Sequence, residues 1–145
     1  MTRDEAAEGV PVRVEGVISM VTPFPHGSFF LQDDSAGIFV LLRHPDRPRA
    51  VFHGLSKPRH KMRVEVEGIS GPGGYAPVIV AERTRFLGTG ELPQADTVTI
   101  TDLKNDSFES LCVNVEGVVQ RVQVETSHNP KSLSLDIADH DGLLR

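Results

Sequence analysis

An all-β protein is what this sequence predicts, and two observations predict it. Short stretches with apolar residues at every second position recur along the chain, as in "VRVEGVI", "MRVEVEGI" and "VNVEGVV". A period of two sends successive side chains to opposite faces of a strand. Clusters of Gly, Pro, Asp and Ser separate these stretches, leaving no room for a long helix between them.

The elements follow in order. Thr2-Arg3-Asp4-Glu5 has the spacing of a capping box, and Gly9 is a natural stop, so residues 1–9 are expected to form a short lead-in helix. Residues 11–21 alternate, with Val12, Val14 and Val17 to one side, and make a long first strand. Gly16 sits in its middle, where glycine marks a bulge or sharp bend. "TPFPHG" is a loop by its prolines and glycine. "SFFLQD" (28–33) and "GIFVLL" (37–42) are the second and third strands, joined through the tight turn "DSA". Residues 43–59 contain Pro45, Pro48 and Pro58 and read as a connector with at most one helical turn. "HKMRVEVEGI" (60–69) is the fourth strand, bent at Gly68; "SGPGGYAP" is a loop; "VIVAERTRFL" (78–87) is the fifth strand. Five strands, the first long and bent, with a connector between the third and fourth, are the plan of a five-stranded OB-fold barrel, here spanning residues 10–88. Gly16 and Gly68 then share a cause, because the first and fourth strands of a small closed barrel curl steeply.

The five-letter phrase around Gly16 and Gly68 returns at 113–117, and its tail resembles that of the first copy rather than the second. After both Gly16 and Gly117 come a strand, a polar loop, a second strand, and an Asp-rich turn opening a third. Residues 89–108 are therefore expected to be a linker, with a short helix at 101–107. Residues 109–145 are expected to form a partial, incomplete second OB-like unit whose third strand has only begun at 143–145. An unfinished barrel leaves open edges and an uncovered apolar face. Its incompleteness favours the chain being an internal piece of a longer protein.

Composition excludes some functions and constrains others. There are 20 acidic and 15 basic residues, a net charge of −5, which argues against a dedicated nucleic-acid binder. The positive charge is uneven: residues 43–63 hold seven Lys/Arg and three His against one Asp. The single cysteine, Cys112, permits no internal disulfide and reads as a small buried thiol. No stretch is apolar for the roughly 18–20 residues a membrane helix needs. The N-terminus "MTRDEAAEGVP" has no apolar signal core.

The stretch "VRVEGVI…FFLQDDSAGIFV…HKMRVEVEGISGPGGYAPVIVA" resembles a bacterial OB-fold family. Similar modules occur in extracytoplasmic sensory regions of hybrid sensor histidine kinases and beside extracellular nuclease domains. The resemblance covers residues 11–87, with an incomplete instance from about residue 109. It implies a sensory or secreted multidomain context and an extracytoplasmic location, whereas a complete chain of this kind would be cytoplasmic. The kinase's phosphorylatable His box, ATP-binding segment and membrane span are not in this sequence. Before the fourth strand the chain also departs from the family pattern: "GLSKPRHKMRVEVEG" is more basic and lacks the family's Gly-Asp turn.

OB barrels bind ligands on the face of the second and third strands, between flanking loops. Alternation sets Phe29 and Leu31 on one face and Ser28, Phe30 and Gln32 on the other. The candidate ligand-binding residues are Phe24, His26, Phe30, Gln32 and Tyr75, with Phe30 as the stacking platform and the loop residues closing over it. Ile38, Val40 and Leu42 are expected to share the face of Phe30, and an apolar face of that kind suits a protein neighbour better than a base. The candidate phosphate contacts are Arg43, Arg59, Lys61 and Arg63. The six histidines show no metal-ligand spacing, so no metal is expected. "DDSAG" and "DHDG" lack the ligand pattern of a calcium loop and read as turns. "GPGGY" lacks the Lys-Ser/Thr of a phosphate loop. No nucleophile–base arrangement stands out, so neither an enzyme nor a cofactor is expected. The favoured function is a non-enzymatic module that binds a small ligand or protein partner. The alternative is a single-stranded nucleic-acid binder, and a third class is a structural spacer.

Overall fold

A computed structural model describes residues 1–22, 27–42, 51–53, 57–104, 106–125 and 132–144. The chain divides into two compact units. One holds residues 1–94 with Glu109–Leu111, the other residues 95–108 with Cys112–Arg145.

The first unit opens with helix α1 (Arg3–Ala7). The Thr2 hydroxyl accepts from the Glu5 amide at 3.2 Å, and a Glu5 carboxylate oxygen accepts from the Thr2 amide at 2.7 Å, which is the reciprocal cap the spacing predicts. Gly9 ends the lead-in at φ 69°. Ser70, buried, then ties it down: its hydroxyl donates to the Ala6 carbonyl and accepts from the Val10 amide, both at 2.9 Å.

Six strands follow: β1 (Pro11–Val21), β2 (Phe29–Gln32), β3 (Gly37–Leu41), β4 (Val51–His53), β5 (Met62–Gly71) and β6 (Val78–Thr89). The hydrogen-bonded order is β3-β2-β1-β5-β6-β4, and β3 also pairs with the start of β6 in parallel. Each of β1, β2, β3, β5 and β6 therefore has a partner on both sides. The inward side chains are those the alternation selects. On β5, Met62, Val64 and Val66 are buried while Arg63 is exposed and Glu65 and Glu67 are half-exposed. With Ile18, Phe29, Leu31, Val40, Leu42, Ile79 and Ala81 they form one apolar cluster, each large side chain contributing about 1.5–3 kcal/mol by leaving water. Gly16 and Gly68 are required by close approach. A Cβ on Gly16 would lie 2.8 Å from the Gln32 carbonyl oxygen, and one on Gly68 would collide with the Val80 carbonyl. Of the two register shifts in β5, one falls beside Gly68 and the other between Arg63 and Val64, while in β1 the shift falls between Ile18 and Met20 rather than at Gly16.

Four expectations need correcting, three on the strands and their connections and one on Cys112. The stretch read as a plain connector contains β4, which pairs in parallel with β6 from Arg83 to Arg85; a three-residue strand among prolines carries no signal of its own. The face of β3 is shifted by one residue: Phe29 is opposite Val40, Phe30 opposite Phe39 and Leu31 opposite Ile38. Val40 and Leu42 are buried in the core and Ile38 packs against it, so Phe39 and Leu41, not Ile38, Val40 and Leu42, share the outward face of Phe30. The cause is the turn. Four residues, 33–36, separate the strands, so an even-numbered residue faces an odd-numbered one. The stretch 89–108 is not a linker throughout: β6 runs to Thr89, residues 95–108 belong to the second unit, and Val98 and Ile100 are buried there.

The second unit contains β7 (Thr97–Val98), 3-10 turns at Asp102–Lys104 and Asp106–Phe108, β8 (Asn114–Val115), β9 (Val118–Glu125), β10 (Ser132–Ala138) and β11 (Leu143–Leu144). β7 pairs β8 in parallel, and β10 lies between β9 and β11. Thr99 and Asp102 bond reciprocally, side chain to amide, as Thr2 and Glu5 do. Cys112 is exposed, not buried: the strand starts at Asn114, and the half-buried positions around it are Leu111, Val113 and Val115.

Candidate functional site

The outward face of β2 and β3 is built by simple alternation. Phe29 and Leu31 point into the core, which leaves Phe30 outside and half-buried. Phe39 stands opposite it, with ring centroids 4.7 Å apart and planes at 43°, a tilted pairing worth about 0.5–1.5 kcal/mol beyond burial. One end of this face is covered within the same unit: a Cβ on Gly37 would collide with the Ser110 carbonyl, so residues 109–111 run directly against β3. Ser110 takes the left-handed conformation, φ 62°, to do so.

Beside the hairpin lies a cleft of about 330 Å³, whose polar lining is Glu15, Gln32, Asp33, Asp34, Arg63, Thr89 and Glu91. Four of these seven are carboxylates. Asp33 is fixed by its own turn: one oxygen accepts from the Ser35 hydroxyl at 2.7 Å and from the Ser35 and Ala36 amides at 2.8 and 2.9 Å. Those bonds, the Ser35 hydroxyl first, hold its carboxyl below the usual range. The cations at this end are already engaged. Arg63 donates through Nε to Glu15 at 2.7 Å, and Lys61 donates to Glu91 at 3.0 Å. Lys61 also sits in the left-handed region, φ 63°, held by its amide donating to the Ile18 carbonyl and its carbonyl accepting from Gly90.

A second shallow concavity, about 260 Å³, lies on the outer face of β1, β5 and β6 between Arg13, Glu65, Glu67, Arg83 and Arg85. Glu65 accepts from Arg13 at 2.6 Å and from Arg85 at 2.9 Å, and Arg83 donates to Glu67 at 3.1 Å. The Arg13 hydrogen bond, aided by Arg85, lowers the Glu65 carboxyl, and the same bond raises Arg13. The opposite charges meet across strands and satisfy one another.

Of the candidate residues, the structure brings Gln32 and Arg63 together in the cleft, with Phe30 on the adjoining face. Lys61 contributes by holding Glu91. Arg59 is exposed, and Tyr75 stands in the loop at residues 72–77, 95% exposed, with no contact to Phe30 among the described residues. Phe24, His26 and Arg43 lie outside the described residues. The reading of the sequence missed Glu15, Asp33, Asp34 and Glu91. They come from three separate stretches of the chain, which the pairings of β1 with β2 and β5 and of β5 with β6 gather.

In the second unit, Asp139, His140 and Asp141 bring three possible metal ligands within 4.8 Å of one another. Asp139 is the anchor of a turn, however. One oxygen accepts from the Asp141 and Gly142 amides and the other from Ile100, all at 2.8 Å. These bonds, Ile100 first, lower its carboxyl without any ion. Comparison of the chain with protein-family models, curated proteins and solved structures finds no match.

Proposed function

We propose that the first unit is an OB-fold-type barrel acting as a non-enzymatic binding module for a polypeptide partner, within the sensory or secreted multidomain context that the sequence resemblance implies. One observation carries this reading. The β2–β3 face offers Phe30, Phe39 and Leu41, and the cleft beside it offers the carboxylates of Asp33 and Asp34, while Lys61 and Arg63, two of the candidate phosphate contacts, are bound to Glu91 and Glu15. A nucleic acid needs uncommitted cations to neutralise its phosphates. A peptide with apolar and basic side chains finds complementary groups at both places. The ring of pairings β3-β2-β1-β5-β6-β3 supports the barrel reading, since it leaves none of these five strands with a free side.

Amide chemical shifts of the full chain, titrated with an arginine–leucine peptide and separately with a single-stranded oligothymidylate, test the proposal. The expected result is saturable movement of Phe30, Asp33, Asp34 and Phe39 with the peptide, lost in a D33N/D34N variant. Movement with the oligonucleotide alone, weakening with salt and lost in Phe30→Ala, overturns it in favour of the nucleic-acid alternative.

A further inference from the structure

We infer that the second unit repeats the opening of the first, and that its apolar face is the docking surface for an antiparallel strand pair of the β5–β6 kind. The inference is independent of the cleft beside β2. It rests on how closely two hairpins agree. Val17, Ile18, Met20 and Val21 of β1 face Gln32, Leu31, Phe30 and Phe29 of β2. Val118, Val119, Arg121 and Val122 of β9 face Ala138, Ile137, Asp136 and Leu135 of β10. Every β1 position maps onto β9 by one constant offset, and both strands shift register at the equivalent residue, Ser19 or Gln120. The glycine before each hairpin meets the same obstacle, since a Cβ on Gly16 or on Gly117 would lie 2.8 Å from the carbonyl oxygen of Gln32 or Ala138. The turns agree as well: Asp33 donates its amide to the Ala36 carbonyl at 3.0 Å, and Asp139 donates to Gly142 at 3.1 Å.

Burial is where the two part. Ile18 and Phe29 are 0% exposed, whereas their counterparts Val119 and Leu135 are 50% and 37% exposed; Val17 is 8% exposed and Val118 66%. In the first unit Ile18 and Phe29 are covered because β5 pairs along β1, delivering Val64 and Val66, and β6 closes on β3, delivering Ile79 and Ala81, while Val17 lies outside that cluster, against Gly90. The described residues of the second unit contain no equivalent of β5 or β6, and among the described residues β9 is hydrogen-bonded on one side only.

The occupant must satisfy two needs at once. The face, extended by Val122, Val124 and Leu133, needs apolar cover, and the open edge of β9 needs backbone partners. A second copy stacking its own face would meet the first need and leave the edge bare. A strand pair meets both, as β5–β6 does in the first unit. Its first strand carries inward aliphatic side chains at alternate positions, with a glycine where Gly68 stands, and pairs with β9 as β5 pairs with β1; its second strand pairs with the first as β6 pairs with β5.

The test is an extended chain in which a second copy of residues 60–90 follows Arg145 through a Gly/Ser linker. The expected result is amide exchange along residues 118–125 slowed by about tenfold or more, with loss of binding of a hydrophobic dye. The exchange of β1 amides is the internal standard for an intact first unit. An extension whose residues equivalent to Met62, Val64, Val66, Ile79 and Ala81 are all serine should do neither. Unchanged exchange with the native extension overturns the proposal. So does sedimentation showing the unextended chain as a dimer that V122D converts to a monomer, because the face would then be covered by a second copy.

Discussion

The hairpins β1–β2 and β9–β10 share their register, the place of their bulge, their close-packed glycine and their aspartate turn, and they differ in what lies over them. The shared features are local: a glycine, a short turn and an alternation are enough to specify them. The difference is not local, because Phe29 is hidden by strands that arrive some forty residues later in the chain, while Leu135 has no such cover among the described residues. Geometry and stability therefore come from different parts of the sequence.

The largest expected effect tests that separation directly. Phe29→Ala should cost about 3–5 kcal/mol, whereas Leu135→Ala, at a position 37% exposed, should cost under about 1 kcal/mol. Urea unfolding followed by residue-resolved shifts measures both, and equal losses would break the comparison. The glycines should behave alike. Gly16→Ala and Gly117→Ala each place a methyl 2.8 Å from a carbonyl oxygen, and each should cost about 1–3 kcal/mol. A loss in the first unit alone would mean that closure, not the hairpin, dictates the glycine.

A smaller effect, of opposite sign, is expected inside the first unit. The Thr84 hydroxyl is buried with no partner among the described residues, so Thr84→Val should raise stability by about 1 kcal/mol. A fall in the thermal midpoint would show that the hydroxyl is bonded. The smallest effect is the pH response of the charged face. Glu65 titrates below its ordinary value of 4.5 because Arg13 and then Arg85 hydrogen-bond it. A depressed folded pKa makes its contribution complete above the ordinary value and removes it as pH falls through the folded one. Urea midpoints between pH 6 and pH 3 should fall less steeply in Glu65→Gln than in the parent.

Much of this was legible in the sequence, and the exceptions have definite causes. The capping box at Thr2 and Glu5 and the five main strand stretches follow from spacing alone; Gly16 and Gly68 read as bends, and the close carbonyls that require them arrive only with the paired strands. The face of β3 did not follow, because a turn one residue longer or shorter reverses it, and the composition of "DDSA" allows both. β4 exists through its pairing with β6, which no local pattern announces. In the candidate site, alternation placed Phe30 outside the core, whereas Gln32, expected beside it, is buried at the cleft and Arg63, read as a phosphate contact, is held by Glu15. The carboxylates at 15, 33, 34 and 91 were not readable, because distant segments meet there only after the strands have paired.

β6 bonds to three strands, β3, β4 and β5, and is the last of the first unit's strands to be made. During synthesis a ribosome that has released only residues up to the loop before β6 holds a hairpin whose β3 edge has no partner and whose core lacks Ile79 and Ala81. At that moment the nascent first unit presents to the cell a surface of the same kind as the face of Val119, Val122 and Leu135, and the arrival of twelve more residues, Val78 to Thr89, ends its exposure to chaperones and to other chains.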